Sequence, residues 1–161
     1  MFLLLKNLLF VLIVSGTVAV YIPALLARNH AAASGALLLL ATVLLVMGGC
    51  IYLWCLWDFA TFGRGTPAPI DPPRKLVVRG LYRYTRNPMY VGILTVLLGW
   101  AVLFRARGLW IYALAMGLAF HTFVVLYEER HLQRVFPGEY ERYRAQVGRW
   151  LPRARRAGGP T

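Results

Sequence analysis

Residues 36–57 read ALLLLATVLLVMGGCIYLWCLW, a run without one charged side chain. As a helix rising 1.5 Å per residue, it is long enough to cross the hydrocarbon core of a bilayer, about 30 Å thick. Working outward, residues 8–27 and 109–127 have the same apolar character and comparable length. Residues 89–104 are slightly short for a full span. The pattern predicts an all-α integral membrane protein of about four transmembrane helices. Composition agrees: 59% hydrophobic residues against 15% charged, at 161 residues, is not the balance of a small soluble domain. The first run has a second reading as a cleaved signal peptide, since Lys6 precedes it and Ala31–Ala33 resembles a cleavage site. It is too long for a signal core, and Pro23 and Arg28 intervene, so a retained helix is expected.

Charge gives the orientation. All six carboxylates fall between the second and third runs or after the fourth. Fourteen of the eighteen basic residues join them, from Arg64 to Arg86 in the long loop and from Arg130 to Arg156 in the tail. The other side has only Arg28, Arg105 and Arg107. The positive-inside rule places both termini and the long loop in the cytoplasm of a cell whose inner membrane holds the chain. The net charge of +12 also suits anionic lipid headgroups. Nucleic acid is not expected, because no recognition motif accompanies the basic tail. Cys50 and Cys55 lie five apart on one helix and point in different directions, so they are read as packing residues.

Three parts are expected: a helix pair over residues 1–57, a core over 58–152 and a disordered basic tail over 153–161. Between Asp58 and Arg86 the glycines and prolines (Gly63, Gly65, Pro67, Pro69, Pro72, Pro73) forbid a continuous helix. Pro88 then suits the first turn of a helix, with Asn87 as its N-cap. That helix start, with Arg83 and Arg86 nearby, makes an anion-binding corner. Residues 105–108 join the last two spans into a hairpin. Beyond it, Pro137-Gly138 breaks the fourth helix and a short helix over 139–147 follows. Tyr140, Tyr143, Val147 and Trp150 recur along it at helical spacing among arginines, the pattern of an interfacial amphipathic C-terminal helix.

Glu128 and Glu129 end an apolar helix, where ionised groups must be solvated or paired. They diverge by about 100°, so at most one faces a given pocket. They read either as a solvated helix end paired with Arg130 and Arg134, or as pocket carboxylates. Arg86-Asn87-Pro88-Met89-Tyr90-Val91-Gly92 reads either as a ligand cradle or as a capped helix with an interfacial tyrosine and a packing glycine. His121 falls within the fourth span, where a neutral, hydrogen-bonded packing role is expected; His30 and His131 are expected to be solvated. No His, Cys and carboxylate grouping has metal-ligand spacing, so no metal is expected.

The order of parts is more specific than any one of them. Gly-Thr-Pro-Ala-Pro over 65–69 is followed by Gly80-Leu81-Tyr82-Arg83-Tyr84-Thr85-Arg86-Asn87-Pro88-Met89-Tyr90-Val91-Gly92. Next come Glu128-Glu129, and then Phe136-Pro137-Gly138-Glu139-Tyr140-Glu141-Arg142-Tyr143 leading to Val147 and Pro152. Across about residues 58–152 this resembles the isoprenylcysteine carboxyl methyltransferase-like family, and more distantly the membrane phospholipid methyltransferases. The resemblance implies an S-adenosylmethionine-dependent methyltransferase whose lipophilic or small-molecule acceptor enters sideways from the lipid. It makes Tyr82, Arg83, Arg86, Asn87, Tyr90, Gly92, Glu128 and Glu129 the cofactor-binding candidates. Two positions depart from the pattern. Asn87 stands where many members have histidine, which removes any proton transfer through that side chain. Gln146 stands where prenylcysteine methylators have an arginine, which Arg144 or Arg149 would replace at an acceptor carboxylate.

The expected chemistry is in-line attack by the acceptor on a sulfonium methyl group, favoured by alignment in a dry pocket. A carboxylate or thiolate acceptor needs no strong base, whereas an amine or thiol loses a proton to Glu129 or Glu128. Glu129, Glu128 and Arg144 are thus the catalytic candidates. Two alternatives stand beside this reading: an NADPH-dependent membrane reductase of the sterol-reductase type, and a non-catalytic lipid-binding membrane protein. Neither the acceptor's identity nor the oligomeric state follows from the sequence.

Overall fold

A computed structural model describes residues 11–63 and 76–153. The start of the first apolar run, the Gly-Thr-Pro-Ala-Pro motif and the tail beyond Arg153 lie outside these residues. Among the described residues the chain is all-helical, with no strand. Its helices are α1 (Ile13–Ala27), α2 (Ala36–Phe62), α3 (Pro88–Phe104), α4 (Arg107–Val135) and α5 (Pro137–Gln146). Of these, α2 and α4 are long and apolar enough to cross a membrane, while α1 and α3 are shorter apolar helices. With 17 residues, α3 reaches only about 25 Å. It stops where Arg105 turns left-handed (φ 52°), and α4 begins two residues later. The connection is therefore tighter than the four residues expected.

The side chains turned outward tell what surrounds the helices. Leu39 on α2 and Ile111 on α4 are each 68% exposed, and Val46, Trp57, Leu114 and Leu118 are exposed beside them. Water would drive such faces together; hydrocarbon does not.

Inside, α2 and α3 make the closest helix contact, because glycines meet at their crossing. A Cβ on Gly92 would come within 3.0 Å of the Gly48 carbonyl oxygen and of the Tyr52 backbone nitrogen. Small residues at such crossings let backbones approach where no hydrophobic force between helices exists in lipid. Gly92→Leu is therefore expected to separate the two helices and destabilise the protein by about 1–3 kcal/mol, read as a lower thermal midpoint in detergent. An unchanged midpoint would show that the crossing is not tight. The other helices pack through buried apolar clusters (Ala27, Ala101 and Leu109; Ile93, Leu97 and Ala113) and are joined by hydrogen bonds of the Ser15 hydroxyl with Tyr52 OH, from α1 to α2, and of Tyr112 OH donating to the Val18 carbonyl at 3.0 Å. Pro23, which has no N–H, sits just past the point where α1 changes from π-type turns to α-helix.

At one end of this bundle the polar segments gather. A 3-10 turn, Gly80–Arg83, packs Tyr82 against Cys55 and Val77, with Phe59 edge-on at 5.6 Å. The fourth helix passes through a π-type turn, Val124–Glu128, before its last α-helical stretch. Phe136 breaks the chain direction and Pro137 opens α5. The stripe expected on the headgroups is turned inward instead. Tyr140, Tyr143 and Val147 form a buried cluster with Leu132, Phe136 and Leu76. An aromatic stripe has the same spacing whether it meets lipid headgroups or protein; here a facing partner exists, and Tyr143 OH donates to the Tyr82 carbonyl at 2.7 Å.

Candidate active site

The site begins with α3, which Pro88 starts because its missing N–H needs no intrahelical acceptor there. Asn87 precedes it but does not cap it: no side-chain cap hydrogen bond forms. Its amide Nδ2 instead donates to the carbonyl of Arg149 at 3.1 Å, and the Thr85 hydroxyl donates to the same oxygen at 3.0 Å. The Arg86 backbone N–H donates to the Gly148 carbonyl at 2.9 Å, and Thr85 and Gly148 form an isolated parallel bridge. Gly148 permits this turn because a Cβ there would lie 2.0 Å from the Leu151 carbonyl oxygen. Residues 85–87 are thereby zipped to residues 148–149.

The zipper brings charges together. The Arg86 side chain, 7% exposed, puts Nη1 3.1 Å from Glu129 Oε1 and donates from the same nitrogen to Tyr140 OH at 2.9 Å. Arg149 holds Glu129 with both oxygens, Nε to Oε1 at 2.7 Å and Nη2 to Oε2 at 3.0 Å. This fork is the strong geometry for an arginine and a carboxylate. The Glu129 hydrogen bond pushes the Arg149 guanidinium above the ordinary arginine range. Burial pushes the Tyr140 phenol up, although the neighbouring Arg86 pulls it down. Burial also pushes Tyr143 up.

Glu128 points elsewhere. It accepts from Tyr90 OH through Oε2 at 3.0 Å and, among the described residues, takes no arginine. The two glutamates diverge as their helical step requires, yet both meet residues of the 86–90 segment. Tyr90 has a second role: its ring lies 4.8 Å from Phe120 and helps line a small, partly open apolar cavity. The remaining walls are Val14, Ser15 and Val18 of α1 with Met89 and Ile93 of α3. Tyr90 thus joins a charged cluster to an apolar cavity.

Of the expected site residues, Arg86, Asn87, Tyr90, Glu128 and Glu129 are brought together. The others are not. Arg83 is exposed at the end of its turn, and Arg144 is exposed on α5, where its carbonyl accepts from Arg153. Arg149, the other substitute considered, is the arginine that reaches Glu129. Tyr82 is buried, but its described contacts are with Cys55, Val77, Phe59 and Tyr143. Gly92 packs against Gly48 of α2. Thr85 and Tyr140 were missed. Neither carries a motif of its own, and only the return of residues 140–149 onto α3 recruits them. His121, exposed on α4, accepts from Trp150 Nε1 at 3.1 Å. Among the described residues no group of three His, Cys, Asp or Glu could hold a metal ion.

A family model described as phospholipid methyltransferase matches residues 36–139, well over half the chain, across α2, α3 and α4 and into the start of α5. An uncharacterized protein of Haemophilus influenzae is 33% identical over 63 residues, which make 39% of this chain and the whole of that relative. No solved structure matches.

Proposed function

The chain belongs to the phospholipid methyltransferase family, and from that premise we propose that it is an S-adenosylmethionine-dependent methyltransferase of the membrane, acting on a lipophilic or small acceptor that arrives from the bilayer. Family membership supports membrane methyl transfer as the activity. The observation that carries the finer reading is the meeting of Arg86 and Tyr90 with Glu129 and Glu128 beside an apolar cavity.

The groups present fit such a cofactor. Arg86 Nε is buried without a hydrogen-bond partner among the described residues, a free donor for a carboxylate. Glu128, held by Tyr90 on one oxygen, is an acceptor for an amino group or ribose hydroxyl. When bound, S-adenosylmethionine supplies a methyl group made electrophilic by its sulfonium. The chain's own residues do the rest. Tyr90 holds Glu128 Oε2 and leaves Oε1 to take a proton from an amine or thiol acceptor. The walls from α1, α3 and α4 exclude water and hold the acceptor's hydrocarbon part.

The proposed arrangement has four spans, α1 to α4, with both termini and the site at the cytoplasmic face of the inner membrane. The basic residues around the site and the three arginines at the far end support it. The family match favours neither the reductase nor the non-catalytic alternative.

Purified protein in lipid bilayers, incubated with methyl-labelled S-adenosylmethionine and a native lipid extract, is expected to place label in a lipid or small-molecule fraction. Label in no fraction, or binding of NADPH in preference to S-adenosylmethionine, overturns the proposal.

A further inference from the structure

Asn87 is 6% exposed, sits where a helix cap belongs, and caps nothing. Its hydrogen bond runs to residue 149 instead, across 62 positions of sequence. A carbonyl oxygen only accepts, so the amide nitrogen of Asn87 must face it. Thr85 donates to the same oxygen, and the Arg86 N–H holds the carbonyl one residue earlier. Three donors from three consecutive residues thus fix the backbone of Gly148 and Arg149. The side chain leaving that backbone is the one that grips Glu129 with both oxygens.

We infer that Asn87 is a positioning residue: through the carbonyl of Arg149 it latches the C-terminal strap, residues 147–150, over the start of α3 and so aims the Arg149 guanidinium at Glu129. The link to cofactor retention rests on the methyltransferase reading; the latch itself does not. Trp150, one residue on, gives the strap a second hold by donating to His121. Release at Asn87 therefore loosens the strap without detaching α5, which its own buried tyrosines keep in place.

Two substitutions separate a latch from simple packing. Asn87→Asp keeps the shape and removes the donor once ionised, so the digestion is run at about pH 9, where even a buried carboxyl of this kind is charged. Asn87→His keeps a donor at the same number of bonds from the backbone, because Nδ1 of an imidazole stands where Nδ2 of the amide stands. Limited trypsin digestion of the full-length protein in bilayers, with each cut mapped by mass, reads the strap directly. Arg149 supplies one cleavage site within the strap, and the exposed Arg134 and Arg142 supply reference sites outside it.

Asn87→Asp is expected to raise cleavage after Arg149 about tenfold, the effect of one lost hydrogen bond of ordinary strength, with cleavage after Arg134 and Arg142 unchanged. Asn87→His is expected to restore protection. The same pair is expected to raise and then restore the dissociation constant for methyl-labelled S-adenosylmethionine by a similar factor. Parallel acceleration at all three sites, or continued protection in Asn87→Asp, overturns the latch. Strap release with an unchanged cofactor dissociation constant overturns the positioning role. If the unsubstituted protein binds no S-adenosylmethionine, the methyltransferase reading fails, and the digestion pattern alone still decides whether Asn87 is a latch.

Discussion

Replacing Glu129 with alanine is expected to abolish binding of methyl-labelled S-adenosylmethionine at concentrations that saturate the unsubstituted protein. Glu129 stands between two guanidinium groups, Arg86 at 3.1 Å and Arg149 at 2.7 Å. Without it, two like charges face one another where Arg86 has almost no access to solvent. Removing one partner from a buried ion pair costs about 3–5 kcal/mol, chiefly because a charge is left uncompensated. Arg149 is 32% exposed and its side chain can turn toward water, which puts the expected cost near the lower figure. If the bound cofactor requires the arrangement that Glu129 holds, binding must make good that cost, and about 3 kcal/mol corresponds to roughly a hundredfold in affinity. Glu129→Gln keeps an acceptor oxygen but loses the charge, so a smaller loss, about tenfold, is expected. Equilibrium dialysis against labelled cofactor measures both, and unchanged affinity in both removes Glu129 from the site.

Glu128→Gln keeps an acceptor oxygen for the cofactor and is expected to act chiefly on turnover. Among the described residues, Glu128 takes no arginine and receives the Tyr90 hydroxyl on Oε2 at 3.0 Å. A carboxylate held on one oxygen and free on the other is equipped to take a proton. General-base removal of this kind contributes about 10²–10⁴ in rate. With an amine or thiol acceptor the turnover number is therefore expected to fall at least a hundredfold. With a carboxylate acceptor, which has no proton to lose at neutral pH, it is expected to fall little. Tyr90→Phe removes the hydroxyl that orients Glu128 and keeps the ring against Phe120, so a smaller decrease of about tenfold in the same assay is expected. Full activity of Glu128→Gln toward an amine would show that proton removal belongs to another group.

How much of this was legible in the sequence differs from element to element. The apolar runs announced α1 to α4, because a helix that faces hydrocarbon needs little besides unbroken apolar side chains. Pro88 and Pro137 marked two helix starts by their own chemistry. Gly92 admitted two readings, of which the structure shows helix packing, whereas the stripe from Tyr140 to Val147, expected on the headgroups, is buried against protein. The choice depended on Gly48 and Tyr82, partners that no local pattern names. Asn87 was legible as a cap from its neighbours; its true partner, the Arg149 carbonyl, lies 62 residues away.

The sequence by itself determined where helices run, which segments are too polar to enter hydrocarbon, and which charges gather at one end. These follow from the free energy of moving each residue between water and lipid, a property of composition along the chain. Only the tertiary structure decided that Glu129 belongs to Arg86 and Arg149 while Glu128 belongs to Tyr90, and that Arg83 and Arg144 belong to neither. Hydrogen bonds and ion pairs act over about 3 Å, so their partners are settled by how the strap returns onto α3, not by the order of residues along the chain.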